Sequence, residues 1–421
     1  MRNADGSGIE DTGRDEQGEI DEIEGELMFY AHPLMYDWLV QAFNKKYPNV
    51  KVTFSHGSNS ENALYLEYAM NVPVDLMSGT AGDVIDPSGL PYRKYGENNL
   101  LEDLYPFMEN DPEFRKEDYY TNIFEGMEQD GKLWVMPGSF LEYLVRFNKT
   151  LLEDHQIKEP QGASVNYKEL TDLFHKIAPN NDKLIMAQYR CLMNLEGAEY
   201  TRYFDVKHGR VSFQSPEFVE FLNEMKRIDW PSEREVEIAG SRFYGWDYWD
   251  RAEENDLCLL IASDYTNKEN VKVFYEHPSN LTSPIPLSVS NGDYYYLPYK
   301  ALAIPSTSKN KELAWKFIRF SIEEKPLELL QDSGAWKIIG MPINRNNTLK
   351  CLESVFGDGR EEAVHTIDGW NSKLNTIGFF GESSLLYEEI KKITAEFYGG
   401  RMTAEECAKQ IQERAEIYLK E

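Results

Sequence analysis

The sequence predicts an α/β fold with room for two lobes, and three observations carry that prediction. Strand and helix periods alternate at the start of the ordered chain, the alternation recurs towards the C-terminus, and 421 residues exceed what one simple core needs. Leu27-Met28-Phe29-Tyr30 is an apolar run cut short by His32-Pro33, the pattern of a buried strand. Leu39, Ala42, Phe43 and Tyr47 then share one helical face ahead of Pro48. Val50, Val52 and Phe54 alternate with polar residues, which is a strand period. Strand, helix and strand within roughly 30 residues make a βαβ unit. Val72 to Ser78 reads as one more short strand, closed by the turn Gly79-Thr80-Ala81-Gly82. Further on, Tyr167–Ala178, Pro216–Ile228 and Asn310–Ser321 read as helices, and Leu257–Ala262 and Ala301–Ile304 as strands. The last helix starts at a capping box, Thr403-Ala404-Glu405-Glu406.

Composition narrows the partners. A net charge of −28 repels nucleic acid and anionic lipid headgroups, and it suits a secreted or surface protein. No apolar run approaches the roughly 18 residues that span a bilayer. Cys191, Cys258, Cys351 and Cys407 lie far apart without C-x-x-C spacing, so they read as free thiols, with disulfide pairing left open. Residues 1–25 are rich in Asp, Glu and Gly and nearly devoid of apolar side chains. They are expected to form a disordered acidic tether, following an export and lipid signal absent from this chain.

The chemistry-bearing motifs are mostly missing. There is no phosphate loop, no nucleophile elbow and no H-E-x-x-H pair, and the seven histidines are scattered. No catalytic residue, metal or cofactor is therefore expected. Aromatic density stands out instead. Arg242-Phe243-Tyr244-Gly245-Trp246-Asp247-Tyr248-Trp249-Asp250 and Asp293-Tyr294-Tyr295-Tyr296 set rings beside carboxylates. Flat rings suit the C–H face of a sugar, and carboxylates, amides and guanidinium groups suit its hydroxyl rim. For any single ring, core packing is the commoner role, so the argument applies to the clusters.

In order along the chain, several segments match one known pattern. They are Ala42-Phe43-Asn44-Lys45-Lys46-Tyr47-Pro48-Asn49-Val50-Lys51-Val52, Pro73-Val74-Asp75-Leu76, Leu100-Leu101-Glu102-Asp103-Leu104, and Asp130-Gly131-Lys132-Leu133-Trp134-Val135-Met136-Pro137 with Arg146-Phe147-Asn148-Lys149. Ser308-Lys309-Asn310-Lys311-Glu312-Leu313-Ala314, Gly340-Met341-Pro342-Ile343-Asn344 and Gly400-Arg401-Met402-Thr403 continue the series. Together they resemble the extracellular solute-binding proteins of family 1, the maltodextrin-binding type that serves ABC importers. The resemblance covers nearly everything from Glu26 to Glu421. Two departures, Glu254-Asn255-Asp256-Leu257-Cys258 and Phe147 before Asn148-Lys149, set the chain apart from well-known members, so no ligand is transferred from them.

The resemblance implies a two-lobed, periplasmic-binding-protein-like fold of type II with the ligand in a cleft. Crossings are expected near Ser139–Leu144, Ser263–Asn267 and Ala314–Phe320. The first lobe would hold 26–139 and 265–315, and the second 140–264 and 316–421. Cleft positions fixed by the motifs are Tyr30, His32, Ser78, Thr80, Asp83, Phe140, Glu142, Tyr189, Arg190, Tyr244, Trp246, Asp264, Tyr265, Trp336 and Tyr387, with Tyr36 beside them. The function implied is capture of a small polar solute, a sugar or oligosaccharide, by a monomeric cell-surface lipoprotein that delivers it to the membrane permease of an ABC importer. A polyamine or other cationic solute on the same fold is the nearest alternative. A carbohydrate-active enzyme and an adhesion module without a closable cleft are more remote.

Overall fold

The computed structural model describes residues 23–55, 64–160, 162–177, 185–187, 189–227, 236–238, 241–243, 258–264, 281–323, 340–357, 359–379 and 384–420. The chain opens with β1 (Gly25–Tyr30), in which Leu27 and Phe29 are buried while Met28 is 44% exposed. Next comes α1 (Pro33–Lys46), with Pro33 in its first turn, where no N–H is needed, and Lys45 and Lys46 at its negative end. β2 (Val50–Phe54) pairs in parallel with β1 from Gly25↔Val50 to Phe29↔Phe54. This is the expected βαβ unit.

The segment Val72–Ser78 differs from expectation. It forms the last two turns of α2 (Leu64–Ser78), in which Ala69, Val72 and Leu76 are buried among the described side chains. That spacing is helical, so the apolar run faces the core on one side only. The third strand, β3 (Val84–Ile85), comes after the glycine turn and joins β1 through Phe29↔Val84 and Tyr30↔Ile85. Gly82 adopts φ +79°, and a Cβ there would lie 2.8 Å from the Met28 carbonyl, so this turn requires glycine.

Three short helices follow, α3 (Tyr92–Glu97), α4 (Tyr105–Asn110) and α5 (Thr121–Met127), and then β4 (Ser139–Phe147). All nine residues of β4 are buried. The chain continues through α6 (Lys149–Asp154), α7 (Tyr167–Ile177), β5 (Ile185–Ala187), α8 (Tyr189–Tyr200), β6 (Phe204–Asp205), β7 (Arg210–Val211), α9 (Pro216–Arg227), β8 (Val236–Ile238), β9 (Ser241–Phe243) and β10 (Cys258–Asp264). After these come β11 (Ile285–Pro286), β12 (Tyr294–Tyr299), α10 (Lys311–Ile322), β13 (Met341–Pro342), α11 (Arg345–Phe356), α12 (Glu361–Asn371), β14 (Leu374–Ile377), α13 (Ser384–Tyr398) and α14 (Ala404–Lys420).

β4 is the axis of the larger sheet, ordered β14-β12-β4-β10-β5. Its first half pairs with β12 and β13, and its second half pairs with β10 and β11. Its side chains divide between two cores: Phe140 and Leu144 enter one, and Leu141, Tyr143, Val145 and Phe147 enter the other. Leu287, Val289 and Tyr295 belong to the second core. The chain rejoins the first at Tyr296 and Ala301–Ile304, where Leu302 bridges Met136 and Ala303 bridges Ile85. The run 294–304 therefore links the two sheets beside β4.

The first core rests on edge-to-face rings. Phe317 of α10 meets Phe29 at 5.1 Å and Phe43 at 5.0 Å, and Phe320 meets Phe43 at 5.2 Å. α11 and α12 add Leu352, Val355, Phe356, Val364 and Ile367 to it. The second core packs Tyr200, Phe213, Phe218, Phe221 and Phe379 between α8, α9, α13 and α14. The predicted capping box starts α14: the Thr403 N–H donates to Glu406 at 2.9 Å, and the Glu406 N–H donates to Thr403 Oγ1 at 3.2 Å. Cys407 is a buried free thiol and Cys351 is half-buried, while the side chains of Cys191 and Cys258 lie outside the described residues. None of the described helices is long and apolar enough to cross a membrane.

One carboxyl is enclosed in the second core. Glu196 on α8 is 5% exposed and accepts a 2.5 Å hydrogen bond from the Tyr398 hydroxyl on α13. Burial pushes it up to about 7, with the Tyr398 bond and the Lys391 charge pulling the other way. The same surroundings push the neighbouring Cys407 thiol up to about 12. Because the folded state favours protonated Glu196, the penalty is absent below its unfolded value near 4.5, grows as pH rises, and is complete above about 7. Urea unfolding of the wild type should therefore lose stability, on the order of 3 kcal/mol, between pH 4.5 and 7.5 relative to Glu196→Gln. Parallel pH curves for the two proteins would contradict this.

Candidate functional site

In open α/β sheets, crevices form outside the carboxyl ends of the strands. Here those ends are Tyr30 of β1 and Ile85 of β3, and the segments leaving them meet at Asp86. Tyr36 Oη donates to Asp86 Oδ2 at 2.7 Å, and Tyr68 Oη donates to the Asp86 carbonyl at 2.7 Å. Ser88 donates to Asp86 Oδ1 from its N–H at 3.0 Å and its hydroxyl at 2.5 Å. Burial raises the Asp86 carboxyl, opposed by the Ser88 and Tyr36 hydrogen bonds. The Tyr36 and Tyr68 hydroxyls are pushed up too, by burial first and then by the Asp86 charge.

Of the residues expected in the cleft, the structure gathers three around Asp75. Tyr30 Oη donates to Asp75 Oδ2 at 2.5 Å, Thr80 Oγ1 donates to Asp75 Oδ1 at 3.0 Å, and the Ser78 and Thr80 hydroxyls are 2.8 Å apart. Asp83 lies in a separate cluster. It accepts from the Met28 N–H at 2.9 Å, from the Ser308 hydroxyl at 2.7 Å and from the Asn310 amide at 3.3 Å, tying β1 and β3 to the start of α10. His32 is half-buried, and its carbonyl accepts from the Met35 N–H.

Glu142 sits at the middle of β4, in register with Tyr296. It is 1% exposed, and neither carboxylate oxygen has a hydrogen-bond partner among the described residues. Burial alone pushes its carboxyl well above the usual range. On the opposite face of the strand, Tyr143 stacks on Tyr295 at 5.4 Å with 7° between the planes. Phe140 is buried edge-on against Tyr120, and Tyr387 is buried beside Phe379, so in this conformation neither ring turns a face to solvent. Tyr189 and Arg190 begin α8, and Asp264 ends β10 opposite Tyr143, but their side chains are outside the described residues. Tyr244, Trp246, Tyr265 and Trp336 lie outside them altogether.

Sequence reasoning passed over Asp75, Asp86, Tyr68 and Lys300 as cleft candidates. Asp75 was visible inside Pro73-Val74-Asp75-Leu76, and Asp86-Pro87-Ser88-Gly89 carries a turn signal just after an apolar pair. Nothing in the local sequence marks Lys300. Among the described residues, no three His, Cys, Asp or Glu side chains gather as a metal site.

Residues 35–222 match the family model described as bacterial extracellular solute-binding protein. The chain resembles the bacterial extracellular solute-binding proteins. Its fold is theirs over nearly the whole length. An ABC substrate-binding protein from Listeria monocytogenes, in complex with cycloalternan, superposes with TM-score 0.63 at 15% identity, covering 94% of this chain and 100% of that one. The sugar-binding protein MalE from Xanthomonas citri gives TM-score 0.65 at 15% identity over 94% and 98% of the two chains. An ABC transporter solute-binding protein from Agrobacterium vitis with bound D-mannitol gives 0.58 at 18% over 94% and 98%. A comparison with curated proteins finds no match.

Within this solute-binding fold, Asp83 tests the junction between β1, β3 and α10. Asp83→Ala strands the Met28, Ser308 and Asn310 donors and should lower stability by roughly 2–4 kcal/mol in urea unfolding. A loss under about 0.5 kcal/mol would show that the carboxylate does not hold the junction.

Proposed function

We propose that this protein captures a small polar solute, a sugar or oligosaccharide, between its two lobes and delivers it to the permease of an ABC importer. It acts by hinge closure, as a monomer exposed at the cell surface and lipid-anchored there, and it breaks no bond. The observation that carries the reading is the family match over 35–222, a segment that includes both the loops around Asp86 and the strand holding Glu142. Solved structures of the same fold hold cycloalternan, D-mannitol and maltose, all polyhydroxylated and uncharged, which supports the solute class.

Glu142 supports the location. A buried carboxyl without a partner is costly to the folded protein, by about 1–3 kcal/mol or more. Such a cost is tolerated where a ligand completes the hydrogen bonds. Burial favours the protonated form of Glu142, and a protonated carboxyl can both donate to and accept from a solute hydroxyl. In this reading the Asp75 cluster with Tyr30, Ser78 and Thr80 forms the first-lobe rim. His32, Tyr189, Arg190, Tyr244, Trp246, Asp264, Tyr265 and Trp336 supply stacking and polar contacts on closure.

A thermal-shift panel read by intrinsic Trp fluorescence tests the solute class. At about a hundred times its dissociation constant, a bound carbohydrate should add roughly 2.7 kcal/mol of stability. A shift only with polyamines would replace the sugar with a cationic solute, and silence across sugars and polyols would reject the sugar reading. For the site, Glu142→Gln should keep or raise the melting temperature of the free protein while cutting carbohydrate affinity at least tenfold. A free protein destabilised by this change, with affinity intact, would assign Glu142 to folding instead.

A further inference from the structure

Lys300 combines two unusual features at the junction of the two sheets. Its backbone is left-handed, φ +51°, a conformation that side-chain-bearing residues rarely adopt. It follows β12 directly, and its carbonyl accepts the Gly138 N–H at 3.1 Å, just ahead of β4. Its side chain runs back into the first lobe instead of out to water. Nζ donates to the Met35 carbonyl at 3.4 Å and lies 5.7 Å from the Tyr36 ring centre and 5.5 Å from that of Trp38. Those two rings stand at the start of α1, and Tyr36 holds Asp86 by its hydroxyl. The next residue joins the same group, because the Ala301 N–H donates to Ser88 Oγ at 3.0 Å, and Ser88 donates to Asp86.

Two rings and a carbonyl around one ammonium, with the Asp86 carboxylate held by the hydroxyl of one of those rings, are parts from which proteins build sites for cations. Burial lowers the Lys300 ammonium to about 8, with the Asp86 charge pulling the other way, so at neutral pH it remains largely charged. We propose that the Lys300 ammonium is the built-in occupant of a cation site formed by Asp86, Tyr36, Trp38 and the Met35 carbonyl, closing the carboxyl end of the first sheet to cationic solutes. The exclusion rests on the solute-capture reading above; the site itself does not. A fixed positive charge repels a second cation at that wall and leaves it open to neutral hydroxyl-bearing solutes.

Chemical rescue tests the site without any solute. Lys300→Ala keeps the left-handed backbone as strained as before and removes only the stem and the charge. Added n-butylammonium chloride should raise the melting temperature of Lys300→Ala saturably, with no such effect on the wild type. Neither n-butanol nor sodium chloride at the same ionic strength should do so, and Lys300→Ala/Asp86→Asn should respond at least tenfold more weakly. Equal responses to n-butylammonium and n-butanol, or equal responses of wild type and variant, would overturn the site. If Lys300→Ala does not fold, Lys300→Met keeps the stem, and Asp86→Asn in the wild type should then lower the Lys300 pKa as read by NMR; an unchanged value would also overturn it. Putrescine titration tests the exclusion: the folded Lys300 variant should bind at least tenfold more tightly than the wild type, and equal affinity would refute it. Failure of the sugar panel leaves the rescue result intact, so the two readings fail separately.

Discussion

The structure depends on one strand being shared by two cores. β4 is buried along its whole length, and its side chains serve opposite interiors, so neither core can be completed without it. Burial on both faces demands apolar residues at nearly every position, which is why Ser139–Phe147 carries so few polar side chains. Arg146 satisfies its charge on the Thr282 and Leu281 carbonyls, and Ser139 is a small residue at the entry. Glu142 is the exception, set where the strand exchanges its partners on one flank from β12 to β11.

Legibility in the sequence followed the range of the determining interaction. Local periods gave the first βαβ unit, α7, α9, α10, β10 and the capping box, because each is set by spacing over a few residues. Val72–Ser78 is helical and not the expected strand, since its apolar run is too short to separate the two periods. Ser263–Asn267 was expected as a passage between lobes. Residues 265–267 of that stretch lie outside the described residues; among the described ones Tyr294–Ile304 joins the sheets, and its aromatic-rich sequence reads equally well as core. Helices α11 and α12 likewise pack on the first core although they follow the second in sequence.

The candidate site was legible only where a motif fixed the register. Glu142 follows from the register that the segments 130–137 and 146–149 fix on either side of the expected first crossing, and Tyr30, Ser78 and Thr80 lie next to motifs. Their common partner Asp75 and the Asp86 group depend on contacts between residues 38 to 50 apart, which no local pattern encodes. The left-handed turn at Lys300 is more hidden still, because glycine is the residue such a backbone advertises. The densest aromatic cluster, at 244–250, lies outside the described residues.

The polar interior of the second core has a chemical consequence of its own. Cys407 is fully enclosed, and its thiol is held far from the thiolate that alkylating and disulfide reagents require. It can react only when α8, α13 and α14 come apart. The rate at which a maleimide consumes this one sulfur is therefore a clock for the opening of one lobe, running whether or not the other stays shut.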